Sequence, residues 1–505
     1  MAEGLKAKVA KGAIWVTLER FAMQIVGFVV SMVLARLLTP NDYGTVALLS
    51  IFFAIAGSLA SCGFGNALVQ NKNAGDLEFN SVFYMSLAVS GVIYIGFFFA
   101  APWIADFYNV PVLCPVTRVS ALQFIFSAIN GVQGAELSRK MLFYKRFRIS
   151  IITCLVSAVC GITFAYLGWG VWALVISSLI TSIASIIAWW TIIAWRPKLM
   201  FSFKVLKGLF NYGWKLSLSG LLHTIYSNLY GFLVGKIYTP ADLAFVNKGH
   251  SMPNLLFSSV DGTINAVSFP ALAKLQDDKA KVVDGMRRMI QCSTFLVFPV
   301  LAMLSICAGP MTLLLYGEQW EPAVKYVAIT CFSFAMTPFC SINCNAISAL
   351  GRSDVFLIME IIKKSSGILL MLLSIRHGVV AFVMTISFVQ VPIAVTVNTF
   401  ASGKLLGYNM RMQFKDVMPS AFLCAGMFVV VYCSRLLLTP VYECISVRNV
   451  MYFVQLAIEG LIGVSVYFGL AMYFKVKPLR EYVNMVLPII RSRNAKLGKF
   501  LEKFS

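Results

Sequence analysis

Apolar residues run through this chain in blocks of twenty or more, separated by short polar stretches from one end to the other. Blocks of that length suit α-helices crossing a hydrocarbon core about 30 Å thick. The pattern predicts an all-α polytopic membrane protein of about fourteen spans. They fall at 12–38, 41–66, 80–105, 113–136, 148–168, 170–195, 206–237, 241–268, 289–315, 323–348, 354–375, 378–401, 417–438 and 450–474.

One junction between blocks occurs twice. Residues 35–46 read A-R-L-L-T-P-N-D-Y-G-T-V and residues 235–246 read G-K-I-Y-T-P-A-D-L-A-F-V. In both, an apolar segment ends on Thr-Pro-x-Asp and another begins at once. The residue before Pro leaves the α region, Pro opens the next helix, and Asp suits its positive N-terminal end. Further pairs support a duplication: Ala101-Pro102 to Tyr108 with Gly309-Pro310 to Tyr316, and Gly170-Val171 with Gly378-Val379, all offset by 208. Trp15 and Trp214 start the paired hairpins. Two like halves related by pseudo-symmetry are expected.

Polar side chains inside spans are costly, so their spacing is informative. The first helix carries Thr17, Arg20, Gln24, Gly27 and Ser31 on one face, with Glu19 beside Arg20. The seventh carries Tyr212, Lys215, Ser219, His223, Tyr226 and Tyr230. The eighth carries Asn247, Ser251, Asn254, Ser258, Asp261 and Asn265, flanked by Lys248 and His250. That face stays polar for about 27 Å, nearly the thickness of the core. Its repeat partner, Ala47, Ile51, Ala54, Ser58, Ser61 and Gly65, is milder. Such stripes either line a wet cavity or join helices by hydrogen bonds, with Arg20 satisfied by Glu19 in the second case.

Milder stripes are Gln123, Ser127, Asn130 and Gly134 in the fourth helix, below Arg118, and Ser333, Thr337, Ser341 and Cys344 in the tenth, near Asn343 and Asn345. The eleventh holds Glu360, Lys363 and Lys364. Glu360 precedes Lys364 by one turn, the better orientation for an ion pair, and Lys364 lies near midplane. Lys363 can snorkel. Gln455 and Glu459 stand isolated and receive no role.

Charge then orients the chain. Charged residues are 12 % of 505 against a hydrophobic fraction of 59 %, and the formal net charge is +21. With the N-terminus inside, basic residues concentrate in cytoplasmic loops, for example Arg139, Lys140, Lys145, Arg146 and Arg148, and Lys274, Lys279, Lys281, Arg287 and Arg288. Opposite loops carry scattered cations such as Arg36, Lys236 and Arg448. Both termini are expected in the cytoplasm. The positive charge therefore speaks of membrane topology, not of nucleic acid. The basic tail 475–505 is expected on the inner leaflet or partly disordered. The first span is too long for a signal peptide.

The twelve cysteines have no metal-ligand spacing, so no disulfide and no metal site is expected. The three histidines, His223, His250 and His377, have no Cys or carboxylate companions at ligand spacing, and no Gly-rich phosphate loop follows a strand. No enzyme and no cofactor is expected. Transport against a gradient would need an ion or the onward metabolism of the cargo.

The words G-A-I-W (Gly12–Trp15), L-A-R-L-L-T-P-N-D-Y-G (Leu34–Gly44), G-F-G-N-A-L-V-Q (Gly63–Gln70) and Y-L-G-W-G-V-W-A-L (Tyr166–Leu174) resemble the polysaccharide-transporter, Wzx-type branch of the MOP superfamily, which includes teichuronic and colanic acid exporters. The resemblance spans the chain in helix number and duplication, while its specific words lie mainly in the first half. It implies a MATE-like V of two six-helix lobes, 1–195 and 196–402, with an appended pair in 403–474 and the tail beyond. It implies a flippase of the bacterial inner membrane that moves undecaprenyl-diphosphate-linked oligosaccharide repeat units for surface polysaccharide.

In that picture the cavity residues are Arg20, Gln24, Lys215, His223, Asn247, Lys248, Asn254, Asp261 and Lys364, with cations on the diphosphate and amides on sugar. Glu19, Asp261 and Glu360 are candidates for ion coupling. Membrane lipids, a polymerase and glycosyltransferases are the implied partners. The alternatives are an ion-coupled MATE-type exporter, which calls for a cavity rich in carboxylates and aromatics, and a non-transporting scaffold, which leaves the eighth helix's polar face without purpose.

Overall fold

The computed structural model describes residues 2–61, 64–70, 74–140 and 142–483, excluding the side chains at 2–11, 13, 14, 66, 69, 211–213, 215, 216, 259, 441 and 443. Nineteen α-helices occur among the described residues. The first ten are α1 (Ala2–Leu37), α2 (Pro40–Leu48), α3 (Ser50–Ser61), α4 (Phe64–Gln70), α5 (Asp76–Tyr108), α6 (Leu113–Ser120), α7 (Leu122–Arg139), α8 (Phe143–Tyr166), α9 (Val171–Ile192) and α10 (Phe203–Ile237). The rest are α11 (Pro240–Ala273), α12 (Lys279–Ile306), α13 (Ala308–Tyr316), α14 (Val324–Ala349), α15 (Ser353–Ser374), α16 (Val379–Thr385), α17 (Val391–Leu406), α18 (Met410–Glu443) and α19 (Arg448–Tyr473). A π-turn, Ile386–Gln390, joins α16 to α17.

Among the described residues, ten helical segments are long and apolar enough to cross a membrane, so this is a multi-pass membrane protein. The expected spans at 113–136, 206–237, 241–268 and 354–375 are not among the ten. All four are helical, but the first is broken between α6 and α7, and each carries a polar stripe or charge cluster that dilutes its apolar character.

The repeated junction forms the same local structure twice. The Thr39 hydroxyl donates to an Asp42 carboxylate oxygen at 2.7 Å and accepts from the Asp42 amide at 3.3 Å, while the same carboxylate accepts from the Thr39 amide at 3.0 Å. Thr239 and Asp242 repeat all three bonds at 2.7, 3.1 and 3.2 Å. These reciprocal caps satisfy amides that the first helical turn leaves without partners. The other landmarks agree: Asn109 and Gly317, offset by 208, both end a helix at positive φ (55° and 93°), and Gly170 and Gly378 both precede one at positive φ (53° and 100°). The halves also differ. The third span of the first half is one helix through Pro102, whereas its counterpart breaks at Cys307 into α12 and α13.

The chain divides into two compact units, Met1–Ala244 and Phe245–Ser505. Repeat counting puts α10 at the head of the second half, yet it packs along α3 and against α4 and α5 of the first unit. Glycine makes this approach possible. A Cβ on Gly44 would fall 1.7 Å from the Pro240 carbonyl oxygen, and one on Gly235 would fall 2.4 Å from Leu48 Cδ2. Within the first unit α1 packs on α8, α8 on α9, and α7 on α5 and α9.

The second unit is built on one large core. Met286, Ile290 and Phe295 of α12 meet Ile342 and Ala346 of α14, Met427 of α18 and Tyr467 of α19. Two polar clusters tie α18 and α19 to α12 and α13. Asp416 accepts from Arg287 at 2.8 and 2.9 Å, from Gln291 at 2.8 Å and from the Tyr408 hydroxyl at 2.7 Å. Glu459, fully buried, accepts two bonds from Arg435 at 2.8 and 2.6 Å, one from Gln455 at 2.8 Å and one from the Cys307 thiol at 3.3 Å. Gln455 and Glu459, isolated in the sequence, are thus corrected to the centre of a buried ion cluster.

The tail expectation changes as well. Leu479 and Val483 are buried in the core of the second unit, and the Tyr482 hydroxyl donates to the Cys292 carbonyl at 3.2 Å. Residues 484–505 lie outside the described residues.

Candidate functional site

Each unit carries its own set of candidate residues. In the first, Glu19 and Arg20 are adjacent on α1 and so point apart. Glu19 is buried against α8, accepting from Ser150 Oγ at 2.7 Å and Arg146 Nε at 3.3 Å. The local pairing with Arg20 that the sequence left open is therefore not made. Arg20 is exposed and, among the described residues, has no ion pair. Gln24 and Ser31 follow on its face, half-buried, and an added Cβ on Gly27 meets nothing within 4 Å. On α10, His223 is exposed with Nε2 3.4 Å from Ser227 Oγ. Lys215 and Tyr212 lie outside the described side chains.

The fourth-helix stripe divides in two. Gln123 and Ser127 of α7 line a cavity of about 450 Å³ with Ser61, Ser86 and Ser90, whereas Asn130 donates to Ser185 of α9 at 3.2 Å.

In the second unit the polar stripe lies on α11. α11 is pressed onto α14 along its other side. A Cβ on Gly249 would lie 2.4 Å from Tyr326 Cβ, the Gly249 carbonyl accepts from Thr330 Oγ at 2.8 Å, and Met252 and Phe257 are buried. That packing turns the stripe outward: Asn247, Ser251, Asn254, Ser258 and Asn265 are all exposed. At its lower end the stripe continues into α14, where Ser341 Oγ donates to Asp261 at 2.9 Å. Asn345 donates to Asn265 at 2.9 Å and to Ser268 at 2.6 Å. Hydrogen bonds join the helices at one end of the stripe, and the face is exposed along the rest.

The line extends to α15. Lys363 Nζ lies 3.8 Å from Cys344 Sγ and 2.5 Å from Glu360, while Lys364 is 3.7 Å from Glu360. The sequence favoured Lys364 as the partner and the deeper group; Lys363 is the nearer and more buried of the two. Lys248, which flanks the stripe in the sequence, does not share its exposure. It is buried with its ammonium 4.6 Å from the Tyr316 ring centre and 5.4 Å from that of Trp320, a cation–π arrangement. Of the three coupling candidates, Asp261 is the one without a basic partner among the described residues. The Asn343–Gln413 pair, which donate to each other at 3.0 and 3.1 Å with both fully buried, had no sequence signal beyond amide residues in apolar blocks.

The fold around these residues is all-helical, duplicated and multi-pass. It is shared with the lipid II flippase MurJ in an inward closed conformation at a TM-score of 0.69 and 15 % identity, over 90 % of this chain and 98 % of that one. The chain belongs to the polysaccharide biosynthesis protein family, which matches residues 33–325. It is similar to the teichuronic acid biosynthesis protein TuaB of Bacillus subtilis, 22 % identical over 84 % of this chain and 88 % of the relative. It is also similar to the succinoglycan biosynthesis transport protein ExoT of Rhizobium meliloti, 23 % identical over 68 % and 69 %.

Proposed function

We propose that this chain is a flippase that carries oligosaccharide repeat units, linked to undecaprenyl diphosphate, from the cytoplasmic to the outer leaflet of a bacterial inner membrane. In this reading it has fourteen spans, lobes at 1–195 and 196–402, an appended pair in 403–474, and cytoplasmic termini. It uses no cofactor and performs no catalysis. The exposed amide and hydroxyl face of α11, continued by Asn345, carries the reading. A sugar presents hydroxyl donors and acceptors in every direction, and neutral amides match both. A diphosphate leaving water needs positive partners, and Arg20, whose neighbouring carboxylate is engaged elsewhere, supplies a forked one.

The MATE-type alternative calls for carboxylates free to meet a cationic cargo. Glu19 and Glu360 are each engaged by basic groups, which disfavours it. Asp261 remains the carboxylate for a coupling proton or metal cation. Transport is tested with purified protein in proteoliposomes loaded on one leaflet with a fluorescent undecaprenyl-diphosphate oligosaccharide. The sugar should become accessible to an external lectin at a rate that scales with protein. No acceleration over protein-free vesicles would overturn the proposal.

A further inference from the structure

Along the last turns of α5, with α3 and the end of α10, runs an apolar groove inside the first unit. Phe52, Ile55 and Leu59 of α3 form one wall, Phe97 and Trp103 of α5 the other, and Phe232 of α10 closes one end. No polar side chain lines it, and its volume is about 570 Å³. Its lining on α5 runs from residue 93 to residue 107, a rise of roughly 21 Å. A groove of that length can take a hydrocarbon chain laid along α5.

The groove ends at a cation. Lys236 is exposed, sits with Nζ 3.9 Å from the Phe107 ring centre and donates to the Phe107 carbonyl oxygen. Phe107 in turn stacks on Phe232, with ring centres 5.7 Å apart and planes at 16°. The ammonium is held at the mouth with two further N–H donors available. Trp103, 75 % exposed beside it, suits the interface between hydrocarbon and water.

An apolar groove in a bilayer gains no hydrophobic driving force, because a lipid tail is equally at home elsewhere. Selection must come from the head group and from shape. A zwitterionic phospholipid carries two chains and brings its own cation next to its phosphate. An isoprenyl phosphate has one chain and an uncompensated anionic head.

We propose that this groove binds the isoprenyl chain of a lipid-phosphate anchor in the outer half of the membrane, with Lys236 on the phosphate. The inference rests on the flippase reading and adds a second contact point for the cargo, made of residues other than the polar stripes of α1 and α11. It is the place where the anchor is held once its sugar has crossed.

The test uses full-length protein in nanodiscs and a diazirine-bearing undecaprenyl phosphate, with adducts mapped by peptide mass spectrometry. Unmodified protein should carry its adducts on the peptides of α3 and α5 that line the groove. Gly96→Leu should cut the yield at least fivefold. A Cβ there meets nothing within 4 Å, and leucine is the better helix former, so the variant fills the groove without disturbing the fold. Lys236→Gln should lower the yield by a similar factor and Lys236→Arg should restore it.

Adducts spread evenly over the lipid-facing helices, or a yield unmoved by both Gly96→Leu and Lys236→Gln, would overturn the proposal. So would equal displacement by phosphatidylglycerol, which would make the occupant bulk anionic lipid. The lectin assay separates the two claims. Flipping without groove labelling sinks this inference alone. Groove labelling without flipping leaves the site standing and sinks the transport reading.

Discussion

Arg20 shows how one residue's role depends on where its neighbour turns. Consecutive helical residues point about 100° apart, so Glu19 can be buried against Arg146 and Ser150 while Arg20 stays exposed. A charge-assisted bond from Arg20 to a diphosphate is worth roughly 1.5–3 kcal/mol. Arg20→Ala is therefore expected to abolish surface polymer in a cell that depends on this protein, at unchanged membrane abundance. Arg20→Lys should keep part of it, because the point charge stays and the fork is lost. Normal polymer in the alanine variant, measured by immunoblot of cell-surface glycan, would remove Arg20 from the cargo path. Glu19→Gln should act differently, lowering the amount of folded protein by weakening the α1–α8 joint.

At the scale of an element, α11 and the α18–α19 pair make opposite uses of polar groups. The α11 face is exposed, so single cysteines at Asn247, Ser251, Asn254 and Ser258 should react with a membrane-impermeant thiol reagent once the native cysteines are replaced. Cysteines at Met252 and Phe257, which are buried, should not. Protection at all of the stripe positions would mean that the face is covered by packing, and the transport path would lose its main physical support. The Arg435–Glu459 cluster is the reverse case, polar groups buried to fasten helices. Glu459→Ala leaves a guanidinium without its partner in an apolar setting and should destabilise the solubilised protein by roughly 3–5 kcal/mol. Replacing both, Arg435→Met with Glu459→Leu, should recover most of that loss in a thermal unfolding assay. A double variant as unstable as the single one would show that the pair contributes more than mutual compensation.

For the whole molecule, the asymmetry of basic loops predicts an even number of crossings. Alkaline phosphatase fused after Gly407 or at the C-terminus should be inactive, and fused at Arg448 active, since only the latter connection is expected outside. Activity at the C-terminus would break the fourteen-span reading while leaving the fold of each unit untouched.

Much of this was legible in the sequence because it rests on local physics. Span length, the Thr-Pro-x-Asp junction and the positions of Gly170 and Gly378 follow from chain geometry and from which residues tolerate a capped or positive-φ backbone. The reciprocal caps at Thr39 and Thr239 appear where the sequence repeats. Stripe periodicity placed Asn247 through Asn265 on one face for the same reason. What the tertiary structure alone decided is which partner each polar group meets. Glu19 turns to α8, Lys248 is buried over Tyr316 and Trp320, Lys363 lies nearer Glu360 than Lys364 does, and Glu459 anchors the last helix. Each of these depends on contacts between residues far apart in the chain, except the Glu360 pair, where one turn of helix offers two lysines and the nearer one, Lys363, also lies 3.8 Å from Cys344 of α14. Periodicity tells which side of a helix a residue occupies. It carries no information about what stands opposite.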